Sequence, residues 1–161
     1  GSRGSVRGPF QVLLHNPALA EILEKYGAYA RFNNSLPDRL NELAVAICGR
    51  YWGAHVEWIA HSRLALEAGI SQSIIDAIHD GEAPEFGNGD EQAIYDFCTG
   101  VFEAKRVEDA VYGRCLELFG EAGVIDLMAT LTHYTVVSLT LNSFQVPVPD
   151  GAKTPPFGPG R

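Results

Sequence analysis

Apolar residues recur along most of this chain at intervals of three and four, the period of a helix with one buried face. Nowhere do they alternate as a half-buried strand would. Asn16 supplies a cap and Pro17 a pre-set first turn for a helix reaching about Tyr29, with Leu19, Ile22, Leu23 and Tyr26 on one stripe. Ser35 and Pro37 open a second helix that runs to about Tyr51 and turns Leu40, Leu43, Ala44 and Ile47 inward. Gly53 breaks the pattern. A third helix from about Ala54 carries Val56, Ile59, Ala60 and Leu64, and Gly69 ends it as a left-handed cap. Ser71 begins a short helix ending near Asp80, followed by an acidic loop, Gly81 to Gly89, that holds Pro84. Two further helices cover about Asp90–Lys105 and Glu108–Phe119, and Gly120 stops the second. The last, Glu121 to about Leu141, is the most apolar and is expected to be the most buried.

Proline placement supports this map. Between Pro37 and Pro147 only Pro84 interrupts, and proline is a strong helix breaker. Seven helices without a strand ladder predict an all-α domain over 11–146, with an extended arm at 1–10 and a Pro/Gly-rich tail at 147–161.

At 161 residues the chain is long enough to bury a core without a disulfide or metal staple. Its formal charge of −8 would repel phosphate backbones and anionic headgroups, so nucleic acid and membrane surfaces are not expected partners. No stretch reads as a membrane span of about 20 apolar residues, nor as a secretory leader, so the expected compartment is the cytoplasm. Cys48, Cys98 and Cys115 form no C-x-x-C pair and lie in apolar helical stretches, where free cysteine acts as a small core residue. Gly87-Asn88-Gly89 lacks a preceding strand and a third glycine, so it reads as a turn and not as a dinucleotide fingerprint.

Polar and aromatic residues concentrate between Arg50 and Arg63, across the junction of the second and third helices. Glu57 and His61 are four apart and share a helix face, with Trp58 beside them. A carboxylate next to an imidazole fixes the ring's tautomer and raises its basicity, which makes a usable acid/base pair. The same spacing also suits an exposed helical ion pair. His55 and His61, six apart, point about 240° from one another around a helix and cannot share a metal ion, so no metal site is expected. Glu42 lies on a side of the second helix bordered by Ala46 and Gly49, small enough for the third helix to approach closely. A hairpin across Gly53 would bring Glu42 level with His61. His133 and Tyr134 interrupt the apolar last helix, where a histidine can be a hydrogen-bonded core residue or part of a pocket.

The stretch from Leu36-Pro37-Asp38-Arg39-Leu40-Asn41-Glu42-Leu43, through Gly53, to Glu57-Trp58-Ile59-Ala60-His61 and Ala68-Gly69-Ile70-Ser71 resembles the carboxymuconolactone decarboxylase family, which includes the alkylhydroperoxidase D proteins. The resemblance is most specific over 36–80 and extends over 10–148. It implies an alkylhydroperoxidase D-like fold of six to seven helices, a site on a helical hairpin, and assembly into homo-trimers or hexamers. The peroxidase branch has a Glu, a C-x-x-C and a His four residues after the second Cys. Here Glu42 and His61 keep the interval, but Ala54 and Glu57 occupy the cysteine positions. The decarboxylase branch is similar in placing a Glu four residues before the His, as Glu57 and His61 do. An extra amino-terminal helix sets this chain apart from the compact decarboxylases.

The expected function is therefore a cofactor-free lyase that decarboxylates a small carboxylated lactone or related acid. His61 would move the proton, Glu57 orient it and Glu42 serve as a second base. Tyr51, Trp58 and His133 would line the pocket, and Arg39, Arg50 or Arg63 would hold a substrate carboxylate. The alternatives are a non-catalytic oligomeric binding protein of the same fold and, last, an alkylhydroperoxidase-type antioxidant.

Overall fold

The computed structural model describes residues 8–158, and among them it is entirely helical. There are seven helices: α1 (Phe10–Leu13), α2 (Pro17–Ala28), α3 (Asp38–Tyr51), α4 (His55–Glu67), α5 (Gln72–Asp80), α6 (Gly89–Thr99) and α7 (Asp109–Ser143). The number matches the sequence reading; the partition does not. Phe10, the last residue of the expected arm, opens a short helix ahead of α2, and residues 1–7 of that arm lie outside the described residues. The last two expected helices run together as α7, broken at Gly120, whose φ of 69° no side-chain-bearing residue adopts easily.

Local chemistry explains most boundaries. Asn16 accepts from the Leu19 N–H to start α2, and Ser71 does the same for Ile74 at α5. Gly81, left-handed, closes α5. Both α2 and α6 end in a wide π-turn, Tyr29–Asn33 and Gly100–Ala104, a feature that apolar spacing does not announce.

α3 is the centre of the molecule. Leu40 through Gly49, apart from Glu42, are buried on every side, packed against α4, α6 and α7. Gly49 lets α4 come close, since a Cβ there would lie 3.1 Å from the Trp58 backbone nitrogen and 3.3 Å from the Glu57 Cβ. α7 closes the other side with Leu127, Leu131 and Tyr134. By length and composition α7 is a membrane-span candidate, contrary to the sequence reading, yet 56% of its most apolar stretch is buried inside this fold, as in a core helix.

Two apolar stripes are not where the pattern put them. α2 buries none of its residues, and Ile22 remains 65% exposed. On α4 the buried residues are Glu57, Trp58, His61 and Ala65, while Val56, Ile59, Ala60 and Leu64 are only half-buried. α4 turns its carboxylate and imidazole inward because that face meets the small residues of α3.

A buried polar network ties these helices together. The Asn41 side-chain amide donates to the Ala30 carbonyl at 3.1 Å and its oxygen accepts from Thr130 at 2.8 Å and Asn34 at 2.9 Å. Asp126 accepts from the Ser35 backbone N–H, the Ser35 hydroxyl and the Tyr29 hydroxyl, so α7 fastens the chain on both sides of the first π-turn. The Pro/Gly-rich tail, without helix or strand among its described residues, folds back over the α3–α4 junction, where Phe157 is half-buried.

Candidate functional site

The antiparallel pairing of α3 and α4 across Gly53 brings Glu42, Glu57 and His61 into contact. Glu42 Oε2 lies 2.6 Å from His61 Nδ1, a short charge-assisted distance. Glu57 Oε2 lies 3.2 Å from Nε2, within ion-pair range but misaligned, and this oxygen accepts no hydrogen bond. The imidazole is thus flanked by one carboxylate on each nitrogen. His61 is only 4% exposed and Glu57 7%, so the exposed ion pair does not describe this arrangement. Burial alone would push the imidazole's pKa down. The hydrogen bond to Glu42 and the negative charge of the Glu57 and Glu42 carboxylates more than reverse it, and the His61 pKa lies above its ordinary value.

Tyr134 on α7 packs edge-on against the His61 ring, centroids 4.9 Å apart, and burial raises its hydroxyl pKa. His133 lies beyond, between the rings of Tyr26 and Tyr134. Burial lowers its pKa, against the charge of Glu57, and its Nδ1 has no partner. Gly27 makes room for this ring, because a Cβ there would sit 2.7 Å from the imidazole. Ser138 Oγ is a third buried polar atom without a partner, one turn along α7 from Tyr134. Cys48 faces Thr135 and the Leu131 carbonyl, and burial pushes its thiol up to about 12. Cys98 and Cys115 are also free and buried, with Cys115 raised to about 11. These are core thiols, poor nucleophiles at neutral pH.

The other expected site residues go elsewhere. Tyr51 stacks on Phe102 and donates to its carbonyl, bracing the second π-turn. Trp58 is buried, but its ring meets His79 and Phe157. Arg39 is held by Asp90 and by Glu91, the latter at 2.8 Å. Arg50 donates to the His79 carbonyl and lies against the Phe157 ring. Arg63 pairs with Glu67 in solvent. Arg31, in the first π-turn, is a positive charge that opposes the rise in the Tyr134 pKa, and no sequence pattern marked it.

The fold and site together define an all-α protein with a buried carboxylate–imidazole–carboxylate cluster. No protein-family model matches the chain, and no curated protein matches it. Among the described residues no group of three or more His, Cys, Asp or Glu side chains is arranged to hold a metal ion.

Proposed function

We propose that this protein is a cofactor-free lyase of the carboxymuconolactone decarboxylase type, acting on a small carboxylated lactone or related activated acid. One observation carries the reading: a buried imidazole holds a carboxylate at each nitrogen, and the Glu57 oxygen beside Nε2 accepts no hydrogen bond. Such a ring is charged over a wider pH range than a free histidine and has a proton to deliver. In the reaction the bond to the substrate carboxylate breaks, carbon dioxide leaves, and the electron pair remains on the ring carbon as a delocalised enolate. His61 Nε2–H then protonates that carbon. Glu42 holds Nδ1 in the required tautomer, Glu57 supports the charged ring, and water restores the proton. The raised pKa of the buried thiols speaks against the antioxidant alternative. The same reading makes the working particle a cytoplasmic homo-trimer or hexamer.

The test is turnover on a panel of carboxylated lactones and β-keto acids. With an active substrate in hand, His61→Gln and Glu57→Gln should each lower turnover by about 10²–10⁴, the range of positioned acid/base catalysis, with helicity unchanged. The double variant should lose little more than the worse single one, since groups acting as a unit are non-additive. Near-normal turnover in both single variants would remove His61 from the chemistry. A chain that binds panel members without turning any over would be the binding protein of the alternative reading.

A further inference from the structure

The tail's Phe157 sits in a box that has nothing to do with His61. The Arg50 guanidinium lies over its ring at 4.3 Å from the centroid. Trp58 and His79 meet it edge to face, at 5.4 and 5.3 Å, and His55 lies at 5.8 Å. The Phe157 carbonyl faces His55 Nε2, and since a carbonyl only accepts, the imidazole is the donor. Beside this anchor lies a cavity of about 620 Å³ between the tail and the helices, lined by His55, Val56, Leu141 and Asn142 on the helical side. Arg50, Trp58 and His79 belong to α3, α4 and α5, so the box is assembled by the fold and not by the tail.

We propose that this box is a binding site for small aromatic carboxylic acids, filled in the resting chain by its own Phe157. The bound residue displays the recognition chemistry. A cation on the ring face and aromatic edges around it select a π-system. A donor stands where the carbonyl falls, two carbons from the ring. In a free 3-arylpropanoate the carboxylate occupies the place of that carbonyl. Its charge is accepted better there than the neutral amide's, because His55 is the first residue of α4 and sits at the positive end of a 13-residue helix. The cavity gives the displaced tail and a larger ring substituent somewhere to go.

The inference does not depend on the lyase reading, and its test needs no turnover. The probe is 3-phenylpropanoate, titrated against the whole chain and its Phe157→Ala variant while tryptophan fluorescence and NMR shifts of the His55 and His79 rings are followed. The substitution lies in the tail, and circular dichroism checks that helicity is retained. Phe157→Ala should bind at least about tenfold more tightly than the unaltered chain, because the apparent affinity of a ligand that must displace a resident group is reduced to the fraction of chains in which the site is free. In that variant 3-cyclohexylpropanoate, which lacks the π-face, and 3-phenylpropanol, which lacks the carboxylate, should each bind at least about tenfold more weakly. Equal affinity for the two chains, no saturable binding to Phe157→Ala at millimolar probe, or indifference to loss of the ring or the carboxylate would each overturn the proposal.

Discussion

His61 and His133 both pack against Tyr134, but their pKa values are shifted in opposite directions, and this gives the site a pH signature in stability. The folded pKa of His61 is raised above 6.5, so its contribution is complete below that value and is lost as pH rises through the folded pKa. His133 is lowered below 6.5, so its contribution is complete above that value and is lost as pH falls through its folded pKa. Urea unfolding between pH 5 and 9 should therefore show a decline on the alkaline side that His61→Gln flattens, and one on the acid side that His133→Gln flattens. An alkaline slope unchanged in His61→Gln would mean that the two carboxylates do not hold the proton. At this scale the sequence was legible where spacing carries the information. Glu57 and His61 needed only the helical period, and Glu42 followed from the hairpin across Gly53. The arginines were not legible, because a guanidinium reaches many partners and tertiary neighbours choose among them. Arg39 is taken by α6 and Arg50 by the tail box.

Helices were predicted well wherever a cap or glycine marked their ends, as at Asn16, Ser71, Gly81 and Gly120. Facing was predicted less well, since α4 carries apolar residues on both sides and only its partner decides which is buried. That partner is α3, through Gly49. A Cβ at Gly49 would press on the Trp58 nitrogen and the Glu57 Cβ, so Gly49→Ala forces α3 and α4 apart by a few tenths of an ångström. Overpacking of this kind costs about 1–3 kcal/mol, and here it also moves Glu57 relative to His61. Thermal unfolding should show the loss, and a midpoint equal to the unaltered chain's would mean that the hairpin is not tightly packed. Asp126 is the comparable fastener between α7 and the first π-turn. It accepts three hydrogen bonds, and two of them come from Ser35. Asp126→Ala should cost about 1.5–3 kcal/mol in chemical unfolding, the range for hydrogen bonds to a charged group. A loss under about 0.5 kcal/mol, ordinary for surface positions, would show that the π-turn holds without it.

Across the whole molecule, exposed apolar side chains are scattered except along α7, where they fall into order. On α7, Ile125, Met128, Val136 and Leu139 are exposed, and with Thr132 they form one stripe at intervals of three and four. α2 meets that stripe at Thr132, where the Tyr26 hydroxyl bonds to it, and adds its own exposed Leu19 and Ile22. The half-buried Val56, Ile59, Ala60 and Leu64 extend along the outer side of α4. Single exposed aliphatics are ordinary, but contiguous apolar faces on a protein of this size mark surfaces that associate. Charge does not oppose a closed symmetric contact along the α7 stripe, since those five residues carry none. We therefore expect a homo-oligomer built on the outer faces of α7 and α2. Light scattering at micromolar concentration should give a multiple of 17.5 kDa. Ile125→Glu combined with Leu139→Glu should return the mass to that of one chain while circular dichroism stays helical, because both side chains are solvent-facing within the protomer. Ile22→Glu should weaken assembly if α2 belongs to the same contact and leave it intact if α7 acts alone. A monomeric mass for the unaltered chain would leave these faces without a partner copy and remove the assembly from the proposed function.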